Sequence, residues 1–591
     1  MGSDLKAQNR ITSGLFLKIL PVQVMLMAVS SVNAMIDGMI GSHLIGAEAN
    51  AAIGMYTPMV FLLQGFCVII MSGSQVLCGR HMGVGRKDLM NGVFSLNIAI
   101  TVAFGLVLTL LCLAGPHLVT SFLGTSEETT GVVGGYVLGR AYGIIPLILS
   151  QQLPVFLQME GENRFNYISM YVTAVVNVIL DLLFVGVLNK GIFGLGLATS
   201  VSFWIYALTQ TAYMLTKRSV FLFSVDDLKW KALGPMLRLG IASGLVFLCA
   251  AVRGVILNHL LTAYTSTQAI DAFGAFIVIA PFVYALGNGT ASTCRMLTSI
   301  SYGENDRASL KIIMGTVQSR GAFMALIEAI LLVLFSGPIA GLYFPAGSEM
   351  YVMLRTGLRA LALWLIPFLN VNAVSAYYQA MGKAFMASLL CLLEGVAVVS
   401  IVAAILVPVM GISGIWAGFF AAEIACCLAI AFYAIWYKKG MPKTPDEWLA
   451  IPDDFGAAED KRLDLTLKSM EDVISCSEMI QEFCIKQGAD LKHAHHASLC
   501  MEEMAANIVK HGFVQNSKKH AIDVRITADE HRIGMSLKDN CAPFNPQEYY
   551  EMINPEDKTK NIGMRLVTSL ASDVSYQNKM GLNVLSATLE I

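Results

Sequence analysis

"GIFGLGLA" at Gly191–Ala198 returns as "GISGIWAG" at Gly411–Gly418, 220 residues later. One such echo would mean little, but the offset recurs. "LKILP" (Leu17–Pro21) answers "LRLGI" (Leu237–Ile241), and "GVGRKD" (Gly83–Asp88) answers "GENDRA" (Gly303–Ala308), both at 220. "QMEGENR" (Gln158–Arg164) answers "QAMGKAF" (Gln379–Phe385), and Pro146 answers Pro367, both at 221. Matches that hold one register over this length describe a duplicated unit.

The unit is a membrane one. The chain has 591 residues of which 14% are charged, with mean hydropathy +0.62; soluble chains carry about 25%. Apolar runs of about 20 residues, the length that crosses a bilayer as helix, recur from Ile11 to Trp436, about twelve in all. Helix breaks are expected at Pro21, Pro146 and Pro367. Six spans per copy, an even number, place the two copies in parallel, and such duplication is how many transporters build two lobes that rock around a central site; the alternative is a duplicated membrane scaffold without transport.

Basic residues cluster after alternate spans: Arg80, Arg86 and Lys87; Lys217, Arg218, Lys229 and Lys231; Arg295 and Arg307; Lys438 and Lys439. The positive-inside rule expects these loops, and both termini, on the cytoplasmic side of the inner membrane. A net charge of −2 gives no basic footprint, so nucleic acid is not an expected partner. The 12 cysteines form no CxxC pair, and most sit in apolar runs as small hydrophobes. The first apolar segment is too long for a cleavable signal peptide.

A carboxylate within lipid costs about 2.5–3.5 kcal/mol on insertion scales, so it usually faces a cavity and has a task. Asp37 lies in "NAMIDGMIG" and Asp181 in "VVNVILDLLF"; Asn177 precedes Asp181 by one helical turn and shares its face. Thr199 opens the sixth span. In the second copy, the positions 220 beyond the two aspartates are Leu257 and Ile401. That copy instead carries Arg253, Asp271, Glu328, Glu394 and Glu423, of which Glu328, Glu394 and Arg253 are candidates to meet a small-molecule substrate.

Residues 10–440 resemble the multidrug and toxic compound extrusion (MATE) family. The likeness rests on the G-x-G-R-K loop after span two, the Q-x-x-G turn before span five and the G-x-x-G opening of span six. It implies that Asp37, Asn177, Asp181 and Thr199 form a first-lobe coupling site for Na⁺ or H⁺. Oxygen ligands suit a hard cation, and a desolvated aspartate equally suits proton exchange; both remain open.

After "WYKKGMPKTPDEW" the composition turns polar. Alternation in "HAIDVRITA" and "HRIGMSLKD", with amphipathic helical runs around it, predicts a small α+β domain ending in the strand "GLNVLSATLEI". The expected organisation is therefore a membrane all-α body of two six-helix lobes, 10–220 and 221–440, a linker 441–455, and a soluble α+β sandwich, 456–591.

Three islands punctuate that tail: "MEEMAANIVKHGF" from Met501, "DNCAPFNP" from Asp539 and "NIGMRLVTSLASDVSYQ" from Asn561. The helical stripe Glu503–Asn507–His511 is one polar face. In this order the islands are similar to the ATP-binding fold of gyrases and histidine kinases, and nearest to anti-sigma-factor serine kinases. The resemblance implies Glu503 as general base, Asn507 as a Mg²⁺ ligand, Asp539 as acceptor for adenine, and Gly563 opening a helix that faces phosphate; His511 would touch nucleotide or lid. Two departures stand out: Cys541 where Gly is expected, and Asn561 in place of a hinge glycine. The segment "QEYYEMINPEDKTK" is short for an ATP lid.

These readings together lead to the expectation of a cation-coupled exporter of amphiphilic compounds with a cytosolic Mg·ATP-binding regulatory domain. The alternatives are a membrane-bound serine-kinase-type signalling protein acting on a small regulatory protein, with the body as sensor, and a flippase for lipid-linked precursors. The chain contains no G-x-x-x-x-G-K-[ST] phosphate loop to power transport.

Overall fold

The computed structural model describes residues 10–123, 127–216, 219–457, 459–513, 520–529, 531–542, 545 and 562–591. Among them, 11 helices are long and apolar enough to cross a membrane, and a bent pair, Thr130–Ala141 and Ile144–Met159, makes up to 12. That pair turns by 49°, and its break has a cause. Pro146 has no N–H for the Tyr142 carbonyl, and the Trp204 indole donates to that oxygen instead over 2.9 Å. Ser200 Oγ takes the Gly139 carbonyl at 2.7 Å, and a Cβ on Gly143 would sit 2.4 Å from that hydroxyl. The breaks expected at Pro21 and Pro367 do not occur: both prolines lie inside continuous helices, Arg10–Leu44 and Glu349–Ala380. A long packed helix absorbs one missing donor.

The duplication is visible as contacts. Repeat mates on the second and eighth spans touch each other: Arg295 Nη1 donates to Gln75 Oε1 over 3.4 Å, a Cβ on Gly79 would lie 2.0 Å from Ser299 Oγ, and one on Gly83 would lie 2.7 Å from Gly303 Cα. Each pair is 220 residues apart, as contacts across a two-fold axis between the lobes require. Contacts within each lobe repeat as well. Gln23 donates to Gln158 in the first lobe, and Ser243 pairs with Gln379 at 2.9 Å in the second. Arg295, grouped by sequence with the loop cations, is instead buried inside the helix Ala285–Gly303.

The tail is a five-stranded antiparallel sheet in the order β1-β2-β3-β5-β4, with β1 Arg462–Leu467, β2 Ile522–Ala528, β3 Arg532–Asp539, β4 Asp573–Lys579 and β5 Leu582–Glu590. Strict alternation in β2 and β3 buries Ile522, Val524, Ile526, Ile533, Met535 and Leu537 beneath the helices Met470–Lys486 and Leu491–Asn507. The opposite face, with Arg525 and Lys538, turns to the membrane body. The linker does not hang free. Asp446 meets Arg307 at 2.7 Å and Lys311 at 3.3 Å, and Phe455 stacks on Tyr302.

Candidate functional site

In the first lobe the structure brings together all four residues that the sequence singles out. Asn177 Nδ2 donates to Asp181 Oδ2 over 3.0 Å, and Thr199 Oγ1 reaches Asp37 Oδ2 at 3.3 Å. Asp37 in turn lies within reach of Asp181 and Asn177. Asp181 is fully buried. The second oxygen of each aspartate, Oδ1, is buried with no hydrogen-bond partner among the described residues. The helix passes into a π turn, Leu182–Val187, directly after Asp181; such turns often mark functional positions.

Sequence reasoning missed Arg140. It lies in the same cluster, its guanidinium 5.8 Å from the rings of both Tyr56 and Phe203, and its charge acts on Asp37. Its signal was available: an arginine inside the apolar run "VVGGYVLGRAYGII".

In the second lobe Arg253 Nη1 donates to the Gly395 carbonyl over 2.9 Å and lies over Phe419. Glu394 accepts from Asn372 at 3.5 Å and interacts with Arg253 and with buried Glu423. Glu328 does not join them. It is half-exposed on the helix Ala322–Tyr343, and no hydrogen bond ties it to that cluster among the described residues.

In the tail, Glu503 and Asn507 lie one turn apart on Leu491–Asn507. The stripe stops there. Ile508–Gly512 is a π turn, whose extra residue per turn rotates His511 off that face and leaves it exposed. Glu503 abuts the helix Ile562–Leu570: a Cβ on Gly563 would sit 2.0 Å from Glu503 Oε2, so a larger residue there would push that carboxylate aside.

Asp539 ends β3 on the helix-covered face. Its Oδ1 accepts the Cys541 amide at 2.9 Å and the Asn583 side chain at 2.9 Å. Asn583, also missed by sequence, is held by Tyr576 Oη at 2.8 Å and Asn578 Nδ2 at 3.0 Å. The Cys541 sulfur packs on Gly512, and burial, then the Asp539 charge, pushes its thiol up to about 12; it is an inert filler. Asn561 and the lid stretch from residue 546 to 560 lie outside the described residues.

Comparison with known proteins finds matches in both the membrane body and the tail. The MatE family model matches residues 21–183, and that of the histidine kinase-like ATPase domain matches residues 468–589. The chain is 25% identical over 425 residues to the probable multidrug resistance protein YoeA of Bacillus subtilis, covering 69% of this chain and 91% of that protein. It is 20% identical over 354 residues to a probable multidrug resistance protein NorM of Halalkalibacterium halodurans, covering 57% and 74%. Among solved structures, the outward-facing conformation of a multidrug resistance MATE family transporter superposes with a TM-score of 0.66 at 19% identity, covering 71% of this chain and 94% of that one. The protein thus joins a membrane body that is similar to MATE multidrug efflux transporters, with a MatE match over residues 21–183, to a C-terminal domain that matches the histidine kinase-like ATPase domain over residues 468–589.

Proposed function

We propose that the protein is a secondary antiporter that exports amphiphilic organic compounds across the cytoplasmic membrane, driven by entry of Na⁺ or H⁺, and that its ATPase domain is a cytosolic nucleotide-binding regulator. The observation that carries the transport reading is the pair of buried, unpartnered Oδ1 atoms on Asp37 and Asp181. A buried polar atom left without a partner is costly, and a cation or proton arriving there would relieve that cost. Asn177 and Thr199 hold the other oxygens and orient the two carboxylates. Arg140 supplies a tethered positive charge beside them, which lowers the cost of the ion-free state and gives the site a cation to exchange against. Such a site releases its ion when a rocking motion opens it to the other side.

The tail supports the regulatory reading through its own fit to an adenine nucleotide with Mg²⁺. Asp539 is fixed as an acceptor by Asn583 and by the Cys541 amide, so the cysteine at the glycine position leaves that acceptor in place. Gly563 lies in the first turn of the helix that would face phosphate, with the Glu503 carboxylate against it. Asn507 would hold the metal, Asp539 the adenine amino group, and Glu503 would stand as base. Bound Mg·ATP would supply a transferable phosphoryl group.

The deciding experiment is transport into vesicles under an imposed Na⁺ or H⁺ gradient. Asp37→Asn and Asp181→Asn are expected to abolish gradient-driven flux while the protein remains folded. Undiminished flux in both variants would overturn the reading.

A further inference from the structure

We propose that the ATPase domain is a staple across the two lobes that holds the body shut on the face where it docks, with the β4–β5 hairpin as its releasable arm. The inference rests on the two-lobed exporter reading above and adds the part of the molecule that controls the rocking.

The two arms of the staple are unequal. On the second lobe the hold is heavy. Glu304 and Asp306, in the loop after the eighth span, receive three cations from the sheet: Lys538 Nζ at 2.6 Å from Glu304, Lys579 Nζ at 3.0 Å from Glu304, and Arg525 Nη1 at 2.5 Å from Asp306. Asp306 is 2% exposed. Arg307, next in the chain, also binds the linker through Asp446 and the carbonyls of Pro452, Asp453 and Phe455. Truncating one partner of such a buried charged set is strongly destabilising, so this arm is a permanent mount.

On the first lobe the hold is light, and the hydrogen bonds that make it among the described residues come from one hairpin. Met580 and Gly581 both take positive φ, 56° and 76°, the geometry of a tight two-residue turn. The turn pushes into the first lobe: the Met580 amide donates to the Met159 carbonyl at 3.0 Å, and Lys579 Nζ donates to the Gly83 carbonyl at 3.1 Å. The fit needs small residues opposite. A Cβ on Gly161 would sit 2.5 Å from the Gly581 nitrogen, and one on Gly85 2.1 Å from Gln577 Nε2. Met580 is 3% exposed and belongs to the core that both lobes share.

Lys579 bonds both lobes at once, through Glu304 and Gly83. Beneath it the lobes meet backbone to backbone: a Cβ on Gly83 would be 2.3 Å from the Ile300 carbonyl, and one on Gly303 2.1 Å from that of Arg80. The lobes cannot part at this seam while the hairpin remains seated. Release of two polar bonds and one apolar plug would free the first lobe, while the domain stayed mounted on the second.

The test uses the full chain in nanodiscs, with exposed Cys427 changed to Ser and spin labels at Lys87 and Lys439, both exposed on the docking face. Lys579→Glu, which sets a carboxylate against Glu304, is expected to raise the population of a longer label-to-label distance several-fold. A second variant guards against misfolding: Gly85→Cys with Gln577→Cys, oxidised to a disulfide, is expected to stop flux in vesicles and to regain it on reduction. An unchanged distance distribution in Lys579→Glu, or full flux through the oxidised pair, overturns the staple. Normal parental flux with unchanged distances fails the staple alone; lobes that open on Lys579→Glu with no flux in any variant fail the exporter reading alone.

Discussion

Arg295 hydrogen-bonds Gln75, its own counterpart in the other copy of the repeat, over 3.4 Å. A contact between equivalent positions can occur only on the axis that relates the two copies. The axis therefore runs between the second and eighth spans, and Gly79–Ser299 and Gly83–Gly303 lie along the same line towards the docking face.

Gly83→Ala is expected to part the lobes at that end. Its Cβ would sit 2.3 Å from the Ile300 carbonyl, and backbone cannot yield as a side chain can. A cysteine placed at buried Ser301 should then react several-fold faster with a membrane-impermeant maleimide than in the parent.

Replacing Arg140 by Met removes the tethered charge beside Asp37. The carboxylate pair would then need an external cation more, so Na⁺-dependent thermal stabilisation should grow if Na⁺ is the coupling ion. In H⁺ coupling the same variant should shift the pH dependence of flux upward. A variant that alters neither would remove Arg140 from the coupling site.

Asn583→Ala is expected to weaken Mg·ATP binding by about tenfold, because Asp539 loses a charge-assisted bond worth roughly 1.5–3 kcal/mol. Calorimetry on the full chain measures this. Cys541→Gly should leave affinity close to the parent, since the amide that holds Asp539 is common to both residues.

Docking should resist alkali and loosen in acid. Burial opposes charge at Glu304 and Asp306, yet Lys538 and Lys579 hold the first carboxyl below its usual range and Arg525 and Lys538 hold the second lower still. A depressed carboxyl contributes stability above its undocked value, about 4, and loses it as pH falls through the docked value. Lys538 is raised, against the cost of burial, by Glu304 and then Asp306, so its share is lost only as pH rises through that raised value, above about 10. Label distances between Lys87 and exposed Lys510 should stay constant across the neutral range and lengthen only below about pH 4.

Much of this was legible in the sequence because spans, repeats and strand alternation are periodic. The 220-residue offset located the lobes, and "HAIDVRITA" and "HRIGMSLKD" became β2 and β3. Asp37 and Asp181 stand out because carboxylates in lipid are conspicuous, and the family resemblance added Asn177 and Thr199, which the structure places beside them. Arg140 carried the same signal, but its place beside Asp37 is set by helix packing that the sequence does not show. Asn583 and Arg295 were hidden for another reason: their partners, Asp539 and Gln75, are 44 and 220 residues away, distances that only folding closes. The π turn at Ile508–Gly512 also had no signature, so the helical spacing extended the stripe to His511 where the backbone does not.

Lys538 and Asp539 are neighbours in β3, one facing the membrane body and the other the proposed nucleotide site. Because successive side chains point to opposite sides of a sheet, a shift of a single position in one direction would set the Asp539 carboxylate against Glu304, and in the other would set the Lys538 ammonium where adenine would lie. Insertions or deletions in that strand are thus doubly forbidden. The two surfaces can diverge only by substitution, and each constrains how far the other may drift.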